Sequence, residues 1–139
     1  MRVLLFILLI LAFSNTRGQD TTFVYTYGGL SYDQGKSIQQ TNDGGYILAG
    51  STGSFGLGNS DMYLVKVDSS GNYLWSRSYG GSFTDVGMHV EQTPDKGYIF
   101  LGYTDSYGAG GYDIYLVKTD SIGDTLWTRT YGGDNWDIG

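Results

Sequence analysis

The 139-residue chain contains no cysteine and only one proline. Without cysteine it has no disulfide framework, no thiol nucleophile, no thiolate metal site and no thiol for a bacterial lipoprotein anchor. A domain without disulfides must be held together by its core alone. Histidine is almost as scarce: His89 stands alone, and no His-Glu-x-x-His run is present, so no imidazole pair can build a zinc centre. Basic charge is also in short supply, with 8 Lys and Arg against 14 Asp and Glu. That balance repels phosphate backbones and anionic lipid, and so argues against nucleic-acid binding and an electrostatic membrane anchor. Asn-x-Ser/Thr sequons are absent, and beyond residue 20 no useful length of sequence carries a helical apolar period. What the chain does have is 23 glycines, 13 tyrosines and 40% apolar residues, which reads as many turns between many strands rather than disorder.

The first residues differ from the rest. Met1-Arg2 precedes an unbroken apolar run from Val3 to Phe13, followed by the small and polar residues Ser14 to Gly18. A bilayer span needs about 20 apolar residues. The shorter run fits a secretory signal peptide over residues 1–18, with cleavage expected after Gly18 or Gln19. Removing it takes away Arg2 and Arg17 and leaves the remainder, 19–139, more acidic still. The expected location is therefore secreted or cell-surface, with no membrane span after cleavage.

The strongest signal is a repeat. Tyr27-Gly28-Gly29 recurs as Tyr79-Gly80-Gly81 and as Tyr131-Gly132-Gly133, each time at an offset of 52 residues. Residues 27–78 and 79–130 align without a gap and agree at about half their positions. A third unit occupies 131–139, so the chain is expected to be a fragment of a longer array.

Each unit parses into four strands. The first unit predicts strands over Lys36–Thr41, Gly45–Thr52, Asp61–Asp68 and Tyr73–Tyr79. The second predicts Met88–Thr93, Gly97–Thr104, Asp113–Asp120 and Thr125–Tyr131. Asn42-Asp43-Gly44 and Pro94-Asp95-Lys96-Gly97 have the composition of tight hairpin turns, and residues 68–72 and 120–124 serve the second hairpin of each unit. Met62-Tyr63-Leu64-Val65 and Ile114-Tyr115-Leu116-Val117 are apolar without alternation, as expected of strands buried on both faces. Four antiparallel strands at a period near 50 is the pattern of a β-propeller blade. The fold expected is all-β: two blades and the start of a third. Trp75 and Trp127 then serve as wedges between blades, and the glycines of the Tyr-Gly-Gly corners as the bends.

The repeat resembles a family of exported bacterial proteins whose units carry Tyr-Gly-Gly, then Asp-Gly-Gly-Tyr-Ile, then Asp-x-Tyr-Leu-Val-Lys, then Trp. The resemblance covers residues 27–139 and rests on Tyr27-Gly28-Gly29, Asp43-Gly44-Gly45-Tyr46-Ile47, Asp61-Met62-Tyr63-Leu64-Val65-Lys66 and Trp75, with their partners one period on. The second unit departs from it with Asp95-Lys96-Gly97. It implies a propeller of several blades, in many members followed by a C-terminal type IX secretion sorting domain. The run Val67 to Trp75 also looks like the repeat motif of quinoprotein propellers. Neither resemblance brings catalytic residues.

A search for chemistry finds little that breaks the repeat. His89 corresponds to Ser37 and reads as a tolerated strand residue rather than a base. A glycosidase would need two special carboxylates. Instead Asp33/Asp85, Asp43/Asp95, Asp61/Asp113 and Asp68/Asp120 all recur at the period, as do Lys66/Lys118 and Arg77/Arg129. These read as turn formers and ion pairs. No D-x-[DN]-x-[DN]-G loop supports an ion held by Asp61 or Asp113 with loop carbonyls. Residues 53–58 run Gly-x-x-Gly-x-Gly but lead into a strand, which disqualifies them as a phosphate loop. No catalytic, cofactor or metal residue is therefore assigned.

In a four-stranded meander, the loops between strands two and three and the corners between units lie at the same end. That end gathers Tyr32, Phe55, Phe83, Tyr107, Tyr112 and Trp136, a candidate face for a carbohydrate or protein ligand. These aromatics could equally pack their own loops. Tyr27, Gly28, Gly29, Trp75, Tyr79, Gly80, Gly81 and Trp127 are read as structural. The expected function is a non-catalytic exported binding or scaffold module. The competing expectation is an accessory propeller of a carbohydrate-active or quinoprotein-like enzyme.

Overall fold

The computed structural model describes residues 24–138, so the signal peptide read in 1–18 lies outside the described residues. Eight strands form: β1 (Asp33–Gln40), β2 (Tyr46–Thr52), β3 (Asp61–Val67), β4 (Tyr73–Tyr79), β5 (Asp85–Gln92), β6 (Tyr98–Thr104), β7 (Asp113–Thr119) and β8 (Thr125–Tyr131). They make two four-stranded antiparallel sheets, β1-β2-β3-β4 and β5-β6-β7-β8. There is no helix among the described residues.

The strand boundaries need one consistent correction. Strand one of each unit begins three residues earlier than expected, at Asp33 and Asp85, and ends at Gln40 and Gln92. The sequence gives no alternating pattern there, because a bulge at Gly35/Ser37, and again at Gly87/His89, breaks the pleat. Ahead of the bulge, Asp33 pairs with Thr52 and Asp85 with Thr104. Gly45 and Gly97 belong to the turns rather than to strand two, and Asp68 and Asp120 to the turns after strand three.

The tight turns are built by carboxylates. Asp43 accepts from the Thr41 hydroxyl and from the Gly45 amide, and Lys66 Nζ reaches it at 3.0 Å. Together these hold its carboxyl down at about 2, the Thr41 bond being the largest cause. Asp95 repeats the arrangement with Thr93, Gly97 and Lys118 and is likewise held at about 2. Gly44 takes φ 81 in the first turn, whereas its counterpart Lys96 takes φ 66 with a full side chain. Glycine is therefore absent from a position that favours it.

The sheets pack face to face. Ile47, Ala49, Met62, Leu64 and Tyr79 of the first sheet meet Val90, Tyr98, Phe100, Tyr115 and Val117 of the second in one core, with Trp75 packed against it. Trp75 stands edge-on to Tyr98 at 5.8 Å, and Tyr79 edge-on to Phe100 at 6.1 Å. β3 is buried on both faces, as expected. β7 is buried on one face only, because its Ile114, Leu116 and Lys118 look away from the first sheet. Trp127, the counterpart of Trp75, is exposed for the same reason.

Contact between the sheets is concentrated at one edge. β5 packs across β1, β2 and β3, whereas β4 and β8 make no comparable contact. Ser37 Oγ and His89 Nδ1, equivalent positions in the two units, lie 3.1 Å apart, and Gln39 accepts from the Gln92 amide at 2.6 Å. The sheets therefore converge at their first strands and spread toward their fourth.

Candidate ligand-binding surfaces

Each unit begins at its Tyr-Gly-Gly corner, and the corner is organised by one aspartate. Asp33 accepts from the Gly29 amide at 2.8 Å, from Ser54 Oγ at 2.8 Å and from the Thr52 hydroxyl. Asp85 takes the same bonds from Gly81, Ser106 and Thr104. Asp137 accepts from Gly133 at 2.9 Å, so the third corner is folded like the first two. Burial alone would raise the Asp33 carboxyl, but the donors from Thr52, Gly29 and Ser54 outweigh it and leave the carboxyl lowered.

A second buried carboxylate faces this corner. Asp61 caps its own loop by accepting from the Gly58 amide at 3.1 Å. A Cβ on Gly80 would stand 2.4 Å from both Asp61 Oδ1 and Asp85 Oδ2. Only glycine fits where the two carboxylates close on the backbone. Burial, and then the charge of Asp85, raise the Asp61 carboxyl, although the Gly58 amide opposes them. Asp113 holds the same place against Gly132, and its Oδ1 is buried without a hydrogen-bond partner. Among the described residues, no three carboxylate or imidazole side chains converge as a metal site.

The loops between strands two and three lie on these corners. Asp85 N donates to Ser60 O at 2.7 Å, and Asp137 N to Tyr112 O at 2.6 Å. The six aromatics expected at this end are there, but they do not form one patch. Phe55 stacks on Tyr63 at 5.6 Å, and Tyr107 lies on Tyr115 at 5.4 Å and donates to Gly80 O at 2.8 Å. These two rings cover their own corners. Tyr112 stands edge-on to both Tyr103 and Trp136, at 5.2 and 5.1 Å. Tyr32, Phe83 and Trp136 remain the most exposed of the six.

The spread of the two sheets opens a wedge between β4 and β8 that the sequence reading missed. It holds about 660 Å³ and is lined by Ser78, Tyr79, Gly80, Tyr107, Tyr115 and the β8 residues Thr125, Thr128, Arg129 and Thr130. The same wedge, at 450 Å³, recurs one period earlier between Thr26–Gly28 and β3–β4. The segment ending at Tyr27 therefore stands where the end of β4 stands for the next unit. The hydroxyl bonds agree: Tyr27 donates to Gly71 O at 2.5 Å, as Tyr79 does to Gly123 O at 2.7 Å.

The recurring lysines pair as expected, Lys66 with Asp43 and Lys118 with Asp95. The arginines behave differently. Arg77 reaches Asp124, which does not recur, and lies over Trp75, while Arg129 lies over Trp127 and donates to Thr128 O. No protein-family model matches this chain, and no curated protein sequence matches it.

Proposed function

We propose that this chain is a stretch of β-propeller blades from an exported, non-catalytic binding or scaffold protein. The observation that carries the reading is the repeated interface. Sheet one presents Tyr79, 8% exposed, to sheet two; its counterpart Tyr131 is 55% exposed. On the opposite side Ile38 is 64% exposed, while its counterpart Val90 is fully buried against sheet one. Each sheet thus carries both halves of one interface, and one half is left open at either end. Convergence at strand one, where Ser37 meets His89, supports a radial stack around that edge. Tyr27, which lies in no strand but bonds Gly71 O as Tyr79 bonds Gly123 O, supports a further sheet on that side.

Among the described residues no asymmetric constellation of reactive groups forms, which favours binding over catalysis. Every buried aspartate recurs at the period and is used to cap a corner or a loop. A ligand, carbohydrate or protein, is assigned to the long-loop end around Phe83, Tyr112 and Trp136, and no cofactor is assigned. The reading is tested by adding one more copy of residues 88–130 after Gly139 and measuring the stability of each array. In a stack of blades, the added unit covers Leu116 and Trp127 and raises the urea midpoint. An unchanged midpoint would mean that the open face of sheet two is not a blade interface.

A further inference from the structure

We infer that the wedge between β4 and β8 is a binding groove for an uncharged oligosaccharide. This rests on the binding-module reading and adds a second site, apart from the long-loop end. The argument comes from comparing the two copies of the wedge. In the first, Tyr73 enters the space, and its hydroxyl lies 3.2 Å from Ser76 Oγ. In the second, those positions are Thr125 and Thr128, and the volume rises from 450 to 660 Å³. Phe55 of the first copy is Tyr107 in the second, which adds a hydroxyl to a ring that stays 45% exposed. The substitutions that separate the units here thus open one copy and make it more polar.

The chemistry of the open copy fits a neutral sugar chain. Ser78, Thr125, Thr128 and Thr130 supply hydroxyls that both donate and accept. Tyr107 supplies flat apolar area with a polar edge, backed by the buried ring of Tyr115 inclined to it at 43°. The single charged residue on the lining, Arg129, has its guanidinium over the Trp127 ring at 5.7 Å and bonded to Thr128 O. That charge is not neutralised, but with Trp127 it lies on the face of β8 turned away from the first sheet, outside the groove. The volume falls within the ~300–1,000 Å³ of small-ligand sites. From Thr125 to Thr130 the strand rises about 17 Å, which suits a short chain rather than a single sugar.

The test is isothermal titration of the whole chain with a panel of neutral hexasaccharides: gluco-, xylo-, manno- and N-acetylglucosamine-linked. At least one is expected to bind saturably. The double variant Thr125→Tyr, Thr128→Ser imports the residues that fill the first wedge. Because those residues already pack in an equivalent place, it should keep the parent's thermal midpoint while losing affinity at least tenfold. Ile38→Ser, on the exposed face of β1 and in neither candidate site, should bind as the parent does. Absence of binding across the panel overturns the inference, as does binding that survives the filled wedge. Binding that is kept in the filled wedge and lost in a further variant, Trp136→Ser, also overturns it, while leaving the proposed function in place.

Discussion

The hydroxyl of Tyr79, the last residue of β4, donates to the carbonyl of Gly123 in the turn between β7 and β8, at 2.7 Å and fully inside the protein. Burial pushes the phenol well above its ordinary value, so it remains a donor at all accessible pH. The end of one repeat is thus tied to a turn of the next. Tyr79→Phe keeps the ring against Phe100 and removes only this bond, leaving a buried carbonyl unpaired. A loss of about 1–3 kcal/mol in urea unfolding is expected, with both sheets still melting in one transition. A loss confined to the second sheet's signals would show that the bond does not couple the two.

Gly80 and Gly35 give opposite expectations for the same substitution. A Cβ at Gly80 meets two carboxylate oxygens at 2.4 Å, whereas a Cβ at Gly35 meets nothing within 4 Å. Gly80→Ala should cost about 1–3 kcal/mol through forced displacement of Asp61 and Asp85. Gly35→Ala should be neutral or stabilising by about 0.5 kcal/mol, from reduced freedom of the unfolded chain. Equal effects in a thermal melt would refute the packing account of the corner.

Lys96 sits at φ 66 where the first unit has Gly44 at φ 81. The backbone penalty for a side chain there is about 1 kcal/mol. Lys96→Gly should therefore stabilise the second hairpin, and Gly44→Lys should destabilise the first by a similar amount. Chemical denaturation of the two variants reads both signs at once.

The carboxylates divide by pH. Asp43 and Asp95, held at about 2, bind protons less readily folded than unfolded. Their stabilisation is complete above about 4 and is lost as pH falls toward 2. Asp61 is raised, so its contribution has the opposite sign: the folded form holds the proton longer, and stability falls as pH rises through its folded value. Asp61→Asn should remove that decline, so the gap between variant and parent widens in the variant's favour as pH rises above about 4. A gap independent of pH would mean that Asp61 titrates normally.

Much of the fold is legible in the sequence, because a gapless repeat aligns the turns and each turn carries its own chemistry. Asp43 and Asp95 cap hairpins from within five residues of chain, so strand ends next to them are predicted within a residue. The starts of β1 and β5 are missed because Asp33 and Asp85 are held by Thr52 and Thr104, partners 19 residues away. The loop aromatics are visible in the sequence, yet the use of Phe55 and Tyr107 as covers for their own corners depends on Tyr63 and Tyr115, which face them from other strands.

By itself the sequence determined the local plan: where the chain turns, where it extends, and that the same unit is made twice. Turns and pleats depend on neighbours a few residues apart, and a repeat writes those neighbours down twice. Tertiary structure decided what the plan becomes in space. The two sheets converge at Ser37 and His89 and spread toward β4 and β8. That spread leaves identical positions unequally covered and turns the exchange of Tyr73 for Thr125 into an open groove. Coverage depends on the rotation between packed sheets, which no span of local sequence encodes.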